Sequence, residues 1–121
     1  MQRLLLTDKN ESCLIGYVDF IILNKKVNIN QLFIYKFFRG KKYGTYILYK
    51  LIQMMIKTRN KKITLENCTK NNMYKNLGFY YIDNNDPYME LNLKNFKNIP
   101  IILLENIENI ENKVKTLLFS F

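Results

Sequence analysis

Apolar and polar residues alternate and then merge into an apolar run between Cys13 and Leu23. That pattern predicts a strand. Asn24-Lys25-Lys26 reads as a turn, and Val27 to Tyr35 is a second β-rich run, so the two predict an antiparallel hairpin. Arg3 to Leu6 predicts a short strand ahead of it, with Asp8 to Glu11 as its turn. From Thr45 to Thr58 the spacing changes. Ile47, Leu48, Leu51, Ile52, Met55 and Ile56 recur at helical intervals, and the basic, polar residues from Lys57 to Lys62 end the helix near Thr58. Lys62 to Leu65 predicts a short strand. Thr69 or Asn71 can cap a brief helix that ends near Asn76, with Gly78 as its left-handed C-terminal residue. Phe79 to Asp83 and Tyr88 to Leu93, around the Asn84-Asn85-Asp86-Pro87 turn, predict a closing hairpin. The order β-β-β-α-β-α-β-β describes a mixed α/β (α+β) domain.

Beyond Pro100 the apolar positions Leu103, Ile107, Ile110, Val114, Leu117 and Phe121 step alternately by four and three. This predicts an amphipathic helix over 100–121, packed either on the domain of residues 1–99 or on a partner, a homodimer among the alternatives.

Length and composition narrow the class. A chain of 121 residues, 48% hydrophobic and with nine Tyr and eight Phe, supports one packed domain. Alanine, tryptophan and histidine are absent, while Asn, Lys, Ile and Tyr abound. Such a bias resembles the drift of an AT-rich gene, so single Asn and Lys residues carry little weight. The lack of histidine excludes His-based triads, His–Cys dyads and most zinc sites. Cys13 and Cys68 form no Cys-x-x-Cys motif and read as free thiols of a reducing compartment. No secretory signal or membrane span is evident, so the expected setting is intracellular, most simply the cytoplasm. The net charge of +9 favours anionic ligands and disfavours a polycationic substrate.

Two segments carry chemistry. Arg39-Gly40-Lys41-Lys42-Tyr43-Gly44-Thr45 is a Gly- and Lys-rich turn opening the apolar helix. Backbone N–H groups at such a helix start, its dipole and nearby cations together favour phosphate. It is no Walker loop, because Gly-Lys-Ser/Thr is missing at the required spacing. Met73-Tyr74-Lys75-Asn76-Leu77-Gly78-Phe79 sets one tyrosine hydroxyl at a helix end just before an aromatic strand.

Together these segments resemble the two halves of an N-acetyltransferase of the GNAT superfamily, over roughly residues 14–94. The resemblance implies a mostly antiparallel, twisted sheet flanked by helices, with acetyl-CoA as acyl donor and no metal. The family's phosphate turn reads Arg or Gln, two residues, Gly, any residue, Gly or Ala. Arg39 and Gly44 match its ends, and Lys42 stands in place of the first glycine. In this reading Arg39, Gly40, Lys41, Lys42, Tyr43, Gly44 and Thr45 hold the pyrophosphate. The strand ending Leu32-Phe33-Ile34 pairs with the pantetheine arm, and the Ile34 amide holds the thioester oxygen. Asn67 contacts the arm, although Lys70 stands where the family prefers alanine. Tyr74 is the general acid for the leaving thiolate. The base is the least defined element: Asn28, Asn30 and Gln31 occupy the strand where many relatives carry glutamate, which leaves Glu66 as the best-placed carboxylate and Asp19 as the second. Some relatives use no dedicated base. The superfamily usually has a strand and two helices before the hairpin, forming one wall of the acceptor groove, and this chain has room for one short strand. The groove is then open, or completed by the C-terminal helix or a second subunit.

Three readings follow. The first is acetyl transfer to a primary amine, with an open groove favouring a protein or peptide amine. The second keeps the fold as a non-catalytic CoA-binding or protein-interaction module. The third, a nucleic-acid-binding protein using Lys41, Lys42, Lys57, Arg59, Lys61 and Lys62, is the least favoured because no RNP-type or helix-turn-helix pattern is present.

Overall fold

The computed structural model describes residues 1–96 and 101–121, except the side chains of 101–104. Its elements are β1 (Gln2–Asp8), β2 (Leu14–Leu23), β3 (Lys26–Ile34), α1 (Tyr43–Lys57), β4 (Lys62–Glu66), α2 (Asn72–Asn76), β5 (Tyr80–Tyr81), β6 (Tyr88–Asn92), α3 (Ile101–Glu111) and β7 (Val114–Ser120). The strands form one sheet in the order β5-β6-β4-β3-β2-β1-β7. Among the described residues only β3 and β4 pair in parallel, as expected for two strands joined through a helix.

Local chemistry explains the boundaries. Asn24 and Lys25 both have positive φ, 52° and 64°, making the tight turn that twists with the β2–β3 hairpin. Asp8 closes the turn after β1: its carboxylate accepts from the Ser12 amide and hydroxyl and from the Cys13 amide, at 2.8, 2.6 and 2.9 Å. No helix stands between β1 and β2, so the short strand expected there is a full strand paired along β2 from Gln2↔Phe20 to Thr7↔Leu14. Asn71 caps α2 by accepting from the Met73 amide at 3.0 Å, and Gly78 follows that helix at φ 103°. α1 buries Ile47, Leu48, Leu51, Ile52 and Met55 against Leu4 and Leu6 of β1, Val18 and Phe20 of β2, and Val27 and Ile29 of β3.

The C-terminal region differs from the expected helix over 100–121. The helix ends at Glu111, and Val114–Ser120 is a strand paired with β1 from Gln2↔Ser120 to Asp8↔Val114. The four-three spacing continues through the break, yet the tertiary setting overrides it. The outer edge of β1 presents unpaired backbone donors and acceptors, and the Val-Lys-Thr-Leu-Leu-Phe segment is a good β-former. Ile107 and Ile110 seat α3 in the core, and Lys50 of α1 pairs with Glu111. The domain boundary expected at 99/100 lies outside the described residues. Among the described residues no helix is long and apolar enough to cross a membrane.

Candidate active site

The sheet opens between β3 and β4. Their pairing runs only from Lys26↔Lys62 to Asn28↔Thr64, while β3 continues to Ile34 and β4 remains paired with β6 through Glu66. The Tyr35 amide donates to the Ile15 carbonyl of β2 at 2.9 Å. Because successive peptide groups of a strand face opposite sides, the Leu32 and Ile34 amides face away from β2, into the gap. The N-terminus of α1 and the short helix α2 border the same gap, around a cavity of about 480 Å³.

The Gly- and Lys-rich turn from Arg39 to Thr45 borders this cavity. Arg39, Gly40, Lys42, Tyr43, Gly44 and Thr45 line it, with Leu32 and Ile34 from β3 and Tyr74 from α2. The first intrahelical bond of α1 runs from the Tyr46 amide to the Lys42 carbonyl at 3.0 Å. The amides of Tyr43, Gly44 and Thr45 therefore have no helical acceptor, and no side chain caps this end. Such a terminus, with Arg39 and Lys42 alongside and no carboxylate among the cavity's lining residues, fits a phosphate group. Arg39 is oriented by a 2.8 Å bond from Nε to the Ile34 carbonyl and by its guanidinium 5.4 Å from the Phe33 ring.

Lys42 precedes α1 in the left-handed region, φ 70° and ψ 12°. The backbone thus takes at this position the conformation that glycine adopts without steric cost. Lysine has replaced the glycine of the expected motif without removing the turn. Gly44 is packed closely: a Cβ there would stand 3.2 Å from Met73 Sδ.

Tyr74 is half-buried, with its ring edge-on to Phe79 at 5.9 Å. Burial raises its pKa above the ordinary tyrosine value, so it carries its proton at neutral pH. Its hydroxyl has no hydrogen-bond partner among the described residues.

Five residues considered in the sequence lie outside the cavity lining. Phe33 projects to the other face of the sheet, against Tyr17 and Tyr35. Lys41 sits with its ammonium 5.0 Å from the Phe37 ring. Asn67 is buried, donating to the Asn71 carbonyl and the Tyr81 hydroxyl at 3.1 and 3.2 Å and accepting from the Asn71 amide. It therefore holds the residue that caps α2, and so positions Tyr74. Glu66 is exposed at the end of β4, on the face opposite the buried Ile63 and Leu65. Asp19, the second carboxylate considered, is buried and bound by both Arg3 Nε and Nη2, at 2.6 and 2.9 Å.

Phe38, Thr69, Asn71 and Met73 also line the cavity. The sequence offered Thr69 and Asn71 only as helix caps and Met73 only as the first residue of the tyrosine motif, and nothing marked Phe38. Among the described residues no three Asp, Glu or Cys side chains gather in a way that could hold a metal.

A model of the GNAT acetyltransferase family matches residues 2–79, the part that contains β1–β4, the phosphate turn and Tyr74. The chain belongs to the GNAT acetyltransferase family. Solved structures agree on this fold. The PaiA N-acetyltransferase of Thermoplasma acidophilum, solved with coenzyme A, has 23% identity and a TM-score of 0.60, over 74% of this chain and 60% of that one. A ribosomal-protein alanine N-acetyltransferase of Escherichia coli has 16% identity and a TM-score of 0.58, over 68% and 63%. A spermidine/spermine N-acetyltransferase of Vibrio cholerae, solved in two mutant forms, has 18% identity and a TM-score of 0.64, over 78% and 69%. This GNAT chain thus spans 60 to 69% of the length of these three proteins, and at such identities the likeness shows the fold alone. No curated protein matches the sequence significantly.

Proposed function

We propose that this chain transfers an acetyl group from acetyl-CoA to a primary amine, with Tyr74 as the general acid. The observation that carries the reading is the single cavity joining an uncapped, cation-flanked helix start, the free edge of β3 and a protonated tyrosine. Acetyl-CoA would supply the activated thioester. The amides of Tyr43 to Thr45, with Arg39 and Lys42, would hold its phosphates, and the Leu32 and Ile34 amides its arm. The Ile34 N–H would then stabilise the oxyanion as the amine nitrogen bonds the acetyl carbon. As the carbon–sulfur bond breaks, Tyr74 would give its proton to the thiolate. The ammonium proton would leave through water, with Glu66, exposed at the end of the strand bordering the gap, as the candidate carboxylate to draw it.

One observation favours a protein or peptide amine as acceptor: with no helix between β1 and β2, nothing from that connection walls the groove. The test is Tyr74→Phe, read by acetyl-CoA calorimetry and by CoA release with a panel of peptide amines. The expected result is unchanged acetyl-CoA affinity with turnover lowered by roughly 10² or more. Any alkaline fall in wild-type turnover that Tyr74 causes should be centred above the ordinary tyrosine value of 10.0, because burial moves its pKa upward. Equal turnover in the two proteins would refute the assignment. The strained Lys42 and the absence of a carboxylate from the lining favour a second reading, a CoA-binding module without catalysis. Tight acetyl-CoA binding with no CoA release from any amine would establish it.

A further inference from the structure

The end of the domain away from the phosphate turn carries a second cationic concavity. Three connections meet there: the β2–β3 turn, the segment between α1 and β4, and the turn after β6. Two backbone bonds tie them together, from the Lys61 amide to the Lys25 carbonyl at 2.7 Å and from the Leu93 amide to the Lys61 carbonyl at 3.0 Å. Lys25, Arg59, Lys61 and Lys94 surround a cavity of about 380 Å³, with Asn60, Ile56 and Leu93 completing it. All four cations are exposed, and exposed Lys57 adjoins them in sequence. Among the described residues, none of these five pairs with a carboxylate. Glu90, which faces the neighbouring Lys26, is already held by Lys62 at 3.0 Å.

We infer that this concavity docks the phosphodiester backbone of a nucleic acid, independently of the acetyl-CoA site. Like charges held together by hydrogen-bonded loops repel one another, and a serial polyanion relieves that repulsion while releasing its own counterions. The rim offers the donors of Lys, Arg and Asn, matching a ligand that presents rows of acceptor oxygens. No aromatic residue lines the cavity, so the contact is with phosphates and carries no base readout. Of its two apolar residues Leu93 is buried and Ile56 alone is exposed, too little apolar surface to insert into a bilayer. The concavity and the phosphate turn stand at opposite ends of α1. Its 15 residues separate them by roughly 22 Å at about 1.5 Å per residue. The sequence grouped Lys41 and Lys42 with Lys57 to Lys62. The fold separates them, and it adds Lys25 and Lys94 to the second group.

The test is fluorescence anisotropy of a labelled mixed-sequence DNA duplex as a function of salt, with the wild type and two double variants of equal net charge. Lys61→Gln/Lys94→Gln removes two rim cations, whereas Lys9→Gln/Lys113→Gln removes two exposed lysines elsewhere. The expected result is a loss on the order of tenfold or more for the first pair, with the slope of log K against log salt reduced by about 2. The second pair should bind as the wild type does, and all three proteins should bind acetyl-CoA equally, which verifies folding. Equal loss in both pairs would mean that net charge alone drives binding. Displacement of the duplex by saturating acetyl-CoA would move it to the phosphate turn. Competition by polyglutamate or anionic vesicles as effective as that by unlabelled duplex would change the partner class. Any of these three outcomes, or no duplex binding by the wild type at low salt, overturns the inference.

Discussion

Lys42→Gly separates the two consequences of having lysine at a glycine position. The backbone at Lys42, φ 70° and ψ 12°, is left-handed, which costs an L-residue with a Cβ about 1–2 kcal/mol. Glycine removes that strain but gives the unfolded chain more freedom, an opposing effect of about 0.5–1 kcal/mol. No side-chain hydrogen bond caps α1 at this residue, so no capping contact is lost. The expected net gain is about 0.5–1 kcal/mol, a rise of roughly 2–4 °C in Tm for a domain of this size. The assay is thermal unfolding of the ligand-free protein, with Lys42→Ala alongside. Alanine keeps the strain and loses the charge, so its Tm should stay near that of the wild type. Acetyl-CoA affinity supplies the second readout. Both variants lose one cation from the cavity and should bind acetyl-CoA more weakly and with less salt dependence. A Lys42→Gly protein less stable than Lys42→Ala would refute the strain argument.

The strand geometry beside the gap can be tested at Gly16. A Cβ there would fall 2.4 Å from the Phe33 carbonyl oxygen and 2.6 Å from Ile34 Cδ1, so Gly16→Ala must displace β3. Denaturant unfolding should show a loss of about 1–3 kcal/mol, with weaker acetyl-CoA binding because the Ile34 amide moves too; wild-type values for both would exclude the clash. The Asp8 turn predicts an acid-sensitive contribution to stability. Hydrogen bonding from Ser12, and then from the Cys13 amide, lowers the Asp8 pKa from 3.8. A lowered folded-state pKa gives stability that is present above the unfolded value and lost as pH falls through the folded one. The stability difference between the wild type and Asp8→Asn should therefore be constant near neutrality and shrink below about pH 4, and a difference that grows on acidification would contradict the turn.

Much of this chain was legible before folding because the informative signals are local. The β2–β3 hairpin, the apolar face of α1, the Asn71 cap and the left-handed Gly78 each depend on residues within a turn or two. The Gly- and Lys-rich turn and Tyr74 stood out for the same reason, since each motif is contiguous, and the fold brings both to one cavity. The tertiary structure decided what depends on distant partners. Val114, Leu117 and Phe121 continue a helical spacing, yet Val114–Ser120 becomes a strand because the unpaired edge of β1 offers it a full ladder of hydrogen bonds. Asn67 looks like a ligand contact in sequence but turns inward to hold Asn71, and Asp19 is bound to Arg3, which stands sixteen residues away. The cations of the second concavity come from three separate connections, so their meeting is a property of the sheet order. Local propensity sets where elements begin and end, while burial and backbone satisfaction across the sheet set which groups remain free to act.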